Sequence, residues 1–147
     1  MTQEAWTAMQ TLKRLWNINR RIDELYERIA SCRAMATRAT ASVSATNMSG
    51  TSGRSRVETG AIRIMELEEQ LDAAIDQLTD ERKHIQGAIE QMEDERQKRI
   101  LELRYIDHLS WEAITRRLFL SPSQSHREHE KALLSFWKFF NSQERWE

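Results

Sequence analysis

Hydrogen-bonding and cationic side chains are concentrated around Pro122, the single proline of the chain. They are Arg116, Arg117, Ser121, Ser123, Gln124, His126, Arg127 and Lys131. Gln can pair with adenine through two hydrogen bonds and Arg with guanine, while Ser, His, Lys and Arg can hold phosphates. These residue types therefore suit contacts to a nucleic acid, with Ser123, Gln124 and Arg127 as the expected base-reading residues.

The proline itself is best explained as the start of a helix. Ser121 is a suitable N-cap, and Pro122 occupies the first helical turn, where a missing N–H has no cost. Gln124 lies three residues after Ser121 and completes a capping-box pattern. We therefore predict a new helix that begins at Pro122 and presents its leading end to solvent.

The segment before this helix contains two further short helical patterns. Residues 94–107 form one, and His108 and Leu109 break it. Ser110 then caps a helix over residues 111–118, and residues 119–120 make a tight connection to the helix that starts at Pro122. This order predicts a helix-turn-helix, in which the second helix of the pair enters the major groove of DNA. A purely structural helical corner is the alternative.

Two long amphipathic helices are predicted upstream. The first runs from about Gln3 to Arg38, and the second covers about residues 58–92. The seam of the first is Leu15, Ile18, Ile22, Leu25, Ile29, Cys32 and Ala36; that of the second is Ile64, Leu67, Leu71, Ile75, Leu78, Arg82, Ile85, Ile89 and Met92. The Ser-, Thr- and Gly-rich residues 37–60 lack a usable period, so we predict a flexible connector there.

Charge is unevenly distributed although the net charge is only −1. Residues 1–60 carry nine Lys and Arg against five Asp and Glu, and residues 61–93 carry three against nine. Two complementary helices joined by a loop favour an all-α fold with a long helical hairpin, an antiparallel coiled coil. We predict a hairpin domain over 1–93 and a DNA-binding domain over 94–147. The same seams can pair between two chains, so a homodimer is an open alternative.

The segment "LRYIDHLSWEAITRRLFLSPSQSHREHEKAL" (103–133) also resembles a known family. It is similar to the sigma-70 region 4-like helix-turn-helix of small phage and prophage transcriptional regulators of the ArpU type. The matching positions are Leu103, Arg104, Tyr105, Ile106, Ser110, Trp111, Glu112, Ile114, Leu118, Ser121, Gln124, Arg127, His129, Ala132 and Leu133. The upstream helix, Ser-rich stretch and "LEEQLDAAIDQL" are loosely similar to that family as well.

The resemblance implies sequence-specific binding to double-stranded DNA and regulation of phage genes in the bacterial host. Ser125 and Glu128 depart from the family pattern, because Val and Ile are usual there and face the interior. A buried Glu128 needs a partner such as Arg104, a partly open position or a rotated helix. Two alternative functions remain: a coiled-coil adaptor that docks on RNA polymerase or another phage protein, and a small terminase-like DNA-packaging subunit.

Composition disfavours several other classes of protein. No stretch approaches the roughly 18 apolar residues of a membrane span, and the first residues show no signal pattern, so we expect a cytoplasmic protein. Cys32 lies on an apolar stripe, which predicts a reduced, buried thiol. His126 and His129 are spaced to share a metal, but no second ligand pair is evident. With no nucleophile signature and no phosphate loop, we expect no enzymatic activity and no cofactor.

Overall fold

The computed structural model of the chain describes residues 1–46 and 51–144. Every regular element in these two ranges is helical, which confirms the predicted all-α class. The elements are α1 (Gln3–Thr46), α2 (Thr51–Gln91), α3 (Glu95–Leu101), a π-helical turn (Glu102–Ile106), α4 (Trp111–Leu118) and α5 (Pro122–Glu144). Within those ranges, no helix is both long enough and apolar enough to cross a membrane.

The predicted connector over 37–60 is wrong wherever the structure describes it. α1 continues to Thr46 and α2 begins at Thr51; residues 47–50 lie outside the described part. The composition of this stretch suggests turns, because threonine hydroxyls can compete with helical hydrogen bonds. Here two of these hydroxyls instead donate to carbonyls of the preceding helical turn. Thr37 and Thr40 donate to the carbonyls of Arg33 and Ala36, each at 2.9 Å.

The chain divides into two compact units, Met1–Asn17 with Leu78–Glu147 and Ile18–Gln77. The division differs from the predicted domain boundary at residue 93. The first unit combines the beginning of α1 and the end of α2 with α3 to α5 around one apolar core. The fully buried members of that core include Leu12, Leu15, Ile85, Ile89, Leu101, Tyr105, Leu133 and Phe136.

The second unit contains parts of α1 and α2 and buries most of the predicted seam residues. They are Ile18, Ile22, Leu25, Ile29, Leu67 and Leu71. Ile75 departs from the prediction, since it is 37% exposed while Ala74 is 5% exposed and takes the inward position. Cys32 is half-buried, not buried. Arg33 of α1 forms an ion pair with Glu68 of α2 at 2.6 Å.

Local caps define the short helices of the first unit. Asp94 accepts a hydrogen bond from the N–H of Gln97 at 3.0 Å and starts α3. Ser110 accepts from the N–H of Ala113 at 3.2 Å and starts α4, as predicted. The break predicted at His108 and Leu109 is also present, and His108 has a left-handed backbone with φ of 59°.

The π-helical turn after α3 places one short stretch of chain against two apolar clusters. The N–H of Asp107 donates to the carbonyl of Glu102 at 2.9 Å, one residue further back than in an α-helix. Tyr105 joins the main core, while Leu103 packs with Ile100 and Ile114 in a second cluster under α4. The turn thus connects α4 to the core of the first unit.

Candidate nucleic-acid interface

The leading end of α5 is held by the predicted capping box. The hydroxyl of Ser121 accepts a hydrogen bond from the N–H of Gln124 at 3.1 Å. In return, the Gln124 side-chain oxygen accepts from the N–H of Ser121 at 2.9 Å. Both side chains are exposed. The cap therefore fixes the first turn of α5 and also engages the amide oxygen that was predicted to read an adenine.

All the predicted contact residues of α5 are exposed. Ser123, Arg127 and Lys131 follow one another at four-residue intervals, so they form one stripe along the helix. Arg127 lies opposite the buried face, which holds Ser125, His129, Ala132, Leu133 and Phe136. The leading half of α5 thus presents hydroxyl, amide, imidazole and guanidinium groups to solvent.

Arg116 and Arg117 lie in the last turn of α4 and are both exposed. A cation is favourable there because the helix dipole is negative at the C-terminal end. Within residues 1–46 and 51–144, no ion pair or side-chain hydrogen bond engages Arg116, Arg117 or Arg127. Lys131 has a long contact to Glu128, at 3.9 Å. Three guanidinium groups are therefore available to an anionic partner.

The two positions that depart from the family pattern have different environments. Ser125 is 3% exposed and borders a cavity of about 160 Å³, whose other walls include Trp111, Thr115 and Pro122. The Glu128 side chain is only partly covered, with 23% exposed. Its cationic neighbour is Lys131 rather than the suggested Arg104, so the carboxylate keeps access to water.

His129 is a buried side chain that already uses one ring nitrogen in a hydrogen bond. It is 4% exposed, and its Nε2 and the hydroxyl oxygen of Tyr105 share a hydrogen bond of 2.7 Å, whose donor depends on the imidazole tautomer. Burial lowers the pKa of His129 to about 4, with the positive charges of Arg104, His126 and Lys13 acting in the same direction. Burial also raises the pKa of Tyr105 above its ordinary value.

The alternative metal site at His126 and His129 lacks further ligands. Across residues 1–46 and 51–144, no group of three or more His, Cys, Asp or Glu side chains is arranged to hold a metal ion. His126 is exposed, while the Nε2 of His129 is directed to Tyr105.

Arg104 joins the start of α1 to the site in a way that sequence patterns did not indicate. Its guanidinium carbon lies 4.8 Å from the ring centroid of Trp16 and 5.1 Å from that of Trp111. The same group donates to the carbonyl of Leu109 at 3.0 Å. Cation–π contacts of this kind stabilise by about 0.5–1 kcal/mol each at exposed sites. Arg104 therefore ties α4 and the loop before it to α1.

The connection between α4 and α5 carries a second unpredicted feature. Phe119 ends α4 in a left-handed conformation, with φ of 56° and ψ of 44°. Its side chain is 93% exposed. The sequence predicted only a tight turn there, and the missed signal is a bulky aromatic residue directly after a helix, where Gly is usual.

These elements define an all-helical protein with a short helix, a tight turn and a capped helix that presents cations to solvent. The chain belongs to the family described as "Protein of unknown function (DUF722)", whose model matches residues 25–134. That range includes every predicted contact residue of α4 and α5. No curated protein matches the chain. No solved structure matches it either.

Proposed function

We propose that α4 and α5 form a sigma-70 region 4-like helix-turn-helix that binds double-stranded DNA sequence-specifically. In this proposal the protein is a phage or prophage transcriptional regulator of the ArpU type that acts in the cytoplasm of the bacterial host. Arg116, Arg117 and Lys131 contact phosphates and set affinity. Ser123 and Arg127 contact base edges and set specificity.

The observation that carries the proposal is the exposed face at the leading end of α5. Arg127 lies at its centre, without a carboxylate partner among the described residues, one turn after the capping box that fixes the start of the helix. An exposed, unpaired guanidinium can make paired hydrogen bonds with guanine. Gln124 has a narrower role than its residue type suggests, since its oxygen already accepts from Ser121.

The proposal includes an antiparallel hairpin of α1 and α2, through which two chains pair. Two contacts within the second unit support the antiparallel direction. Arg33 pairs with Glu68, and a Cβ placed on Gly60 would lie 3.9 Å from the Cβ of Ala36. A later residue of α1 thus contacts an earlier residue of α2, as expected for two antiparallel helices. A homodimer would bring two α5 helices to one duplex.

Selection of bound fragments from random and phage DNA tests the proposal directly. The selected duplex is then titrated with the wild-type protein and with Arg127→Ala, and binding is followed by fluorescence anisotropy. We expect Arg127→Ala to cost about 1–3 kcal/mol and to relax the preference at one base position. Lys138→Ala is the matched control, since it removes one positive charge from an exposed position of the same helix, about 17 Å along the axis from Arg127.

Arg117→Ala tests the phosphate role separately. It should weaken binding to all duplexes to a similar extent and should reduce the slope of log affinity against log salt by about 1. Unchanged affinity for Arg127→Ala together with an unchanged salt slope for Arg117→Ala would refute the assignment of this face.

The alternative functions give different results in the same experiments. An adaptor would be retained on RNA polymerase or another phage protein while no duplex was selected. A packaging subunit would bind DNA but would give the mass of a closed ring in light scattering. We expect the mass of a dimer and binding to a defined duplex.

A further inference from the structure

Phe119 is the most exposed large apolar side chain of the described residues, at 93%. A phenyl ring in water is unfavourable by roughly the transfer free energy of its apolar surface. Leu118 and Leu120, its neighbours in sequence, both pack against the apolar cluster of Ile100, Leu103 and Ile114. The backbone therefore turns the leucines inward and Phe119 outward at the connection between α4 and α5.

The conformation of Phe119 is also costly, because its φ of 56° brings Cβ close to the following carbonyl. Glycine or asparagine would occupy this helix end with less strain, and both are the usual residues there. An exposed aromatic side chain in a strained position contributes nothing to the fold that glycine would not provide. Residues of this kind are candidates for contact with a partner.

The surroundings of Phe119 indicate what that partner is. Arg116 and Arg117 precede it on α4, both exposed and without an ion pair among the described residues. Ser121, the N-cap of α5, follows two residues later, so its Cα lies within about 7 Å of that of Phe119. An apolar ring that follows two unpaired cations suits a polyanion that also exposes apolar groups.

We propose that Phe119 packs against an apolar group of the DNA duplex next to the base pairs that α5 contacts. The group is either a thymine methyl, which the major groove presents, or the apolar face of a deoxyribose beside that groove. The inference rests on the proposed function, because it places Phe119 beside the end of α5 that enters the groove. The inference adds to the proposed function a contact that increases affinity and lies in the connection before α5.

The experiment compares Phe119→Gly, Phe119→Asn and Phe119→Tyr with the wild-type protein on the selected duplex. Glycine and asparagine remove the ring but tolerate the left-handed backbone, so the melting temperature should stay the same or rise. Both variants should bind the duplex about 10-fold more weakly, as expected for loss of a partly buried phenyl ring. Tyrosine retains the ring and should bind nearly as tightly as the wild type. Trp6→Ala, which removes an exposed aromatic from α1, is the control.

Replacement of each thymine by uracil in turn identifies the apolar group. A thymine-methyl contact predicts that one replacement weakens wild-type binding about 4-fold, the worth of one methyl, and leaves Phe119→Gly unaffected. A deoxyribose contact predicts that each uracil replacement changes the affinity of wild type and of Phe119→Gly by the same factor. The 10-fold difference in affinity between the two proteins would then remain on every duplex. Both results support the proposal.

Two results would overturn the inference while leaving DNA binding intact. One is equal affinity of Phe119→Gly, Phe119→Asn and wild type for the duplex. The other is the loss of RNA polymerase binding by these variants with unchanged DNA affinity, which would make Phe119 a protein contact. If the wild-type protein selects no duplex, the proposed function itself fails, and the inference fails with it.

Discussion

Acid should destabilise this protein through one buried imidazole, His129. Its pKa is about 4 in the folded chain, against roughly 6.5 for an unperturbed histidine. Between these two values the unfolded chain binds a proton and the folded chain does not. The free energy of unfolding therefore falls as the pH is lowered through this range, and it becomes constant again below about pH 4.

The size of the effect follows from the shift in the pKa of His129. Each pKa unit corresponds to about 1.4 kcal/mol, so the full loss from this residue is about 3 kcal/mol below pH 4. At pH 5 the expected loss relative to pH 8 is about 2 kcal/mol. The Trp111 ring and the imidazole form a T-shaped pair with a centroid distance of 4.5 Å. The cations of Arg104, His126 and Lys13 oppose its protonation.

Urea unfolding followed by circular dichroism at pH 8, 7, 6 and 5 measures this loss. His129→Gln removes the titrating group and keeps hydrogen-bonding capacity towards Tyr105, so the variant should lose about 2 kcal/mol less than the wild type over that range. Equal losses for wild type and His129→Gln would refute the low pKa of the buried ring.

Three other substitutions test the structure by the same urea measurements. Ser125→Val places two methyl groups in the cavity beside α4 and should raise the free energy of unfolding by about 1 kcal/mol. A lower free energy of unfolding would mean that the cavity does not have room for them. Gln124→Ala removes half of the capping box with Ser121 and should cost about 1 kcal/mol; a cost near zero would argue against the cap. Arg104→Met removes two cation–π contacts and one hydrogen bond and should cost about 2 kcal/mol. It should also raise the pKa of His129, and an unchanged pH dependence would contradict that coupling.

Local signals of the sequence predicted the parts of the fold that local forces determine. Ser110 and Ser121 start helices because a side-chain oxygen three residues away from a free N–H satisfies it in almost any context. The spacing of Leu25, Ile29 and Leu67 likewise placed them in an apolar seam. The exposure of Arg127 agrees with the prediction that this helix presents its leading end to solvent. Base contact by Arg127 stays a prediction.

Features that depend on tertiary contacts or on backbone register were not predictable. The position of Arg104 between two tryptophans requires α1 to lie beside α4, and no spacing in the sequence indicates that arrangement. Residues 37–46 read as a connector from their composition, yet the hydroxyls of Thr37 and Thr40 bond back to the preceding turn and the helix continues to Thr46. Ala74 replaces Ile75 in the seam because the steps from Leu71 to Ala74 and on to Leu78 keep the heptad alternation of three and four, whereas Ile75 would add a second step of four.

The π-helical turn has a consequence for how related sequences should be aligned. A π-turn contains one residue more than an α-helical turn. Insertion of one residue into an α-helix would therefore produce it. In a homologue that lacks the extra residue, positions 102–106 would form an ordinary α-helix and the residues on either side would keep their faces, because a π-turn absorbs one inserted residue locally. Alignments should therefore allow a one-residue gap at this place, and the residues before and after the gap should stay in register.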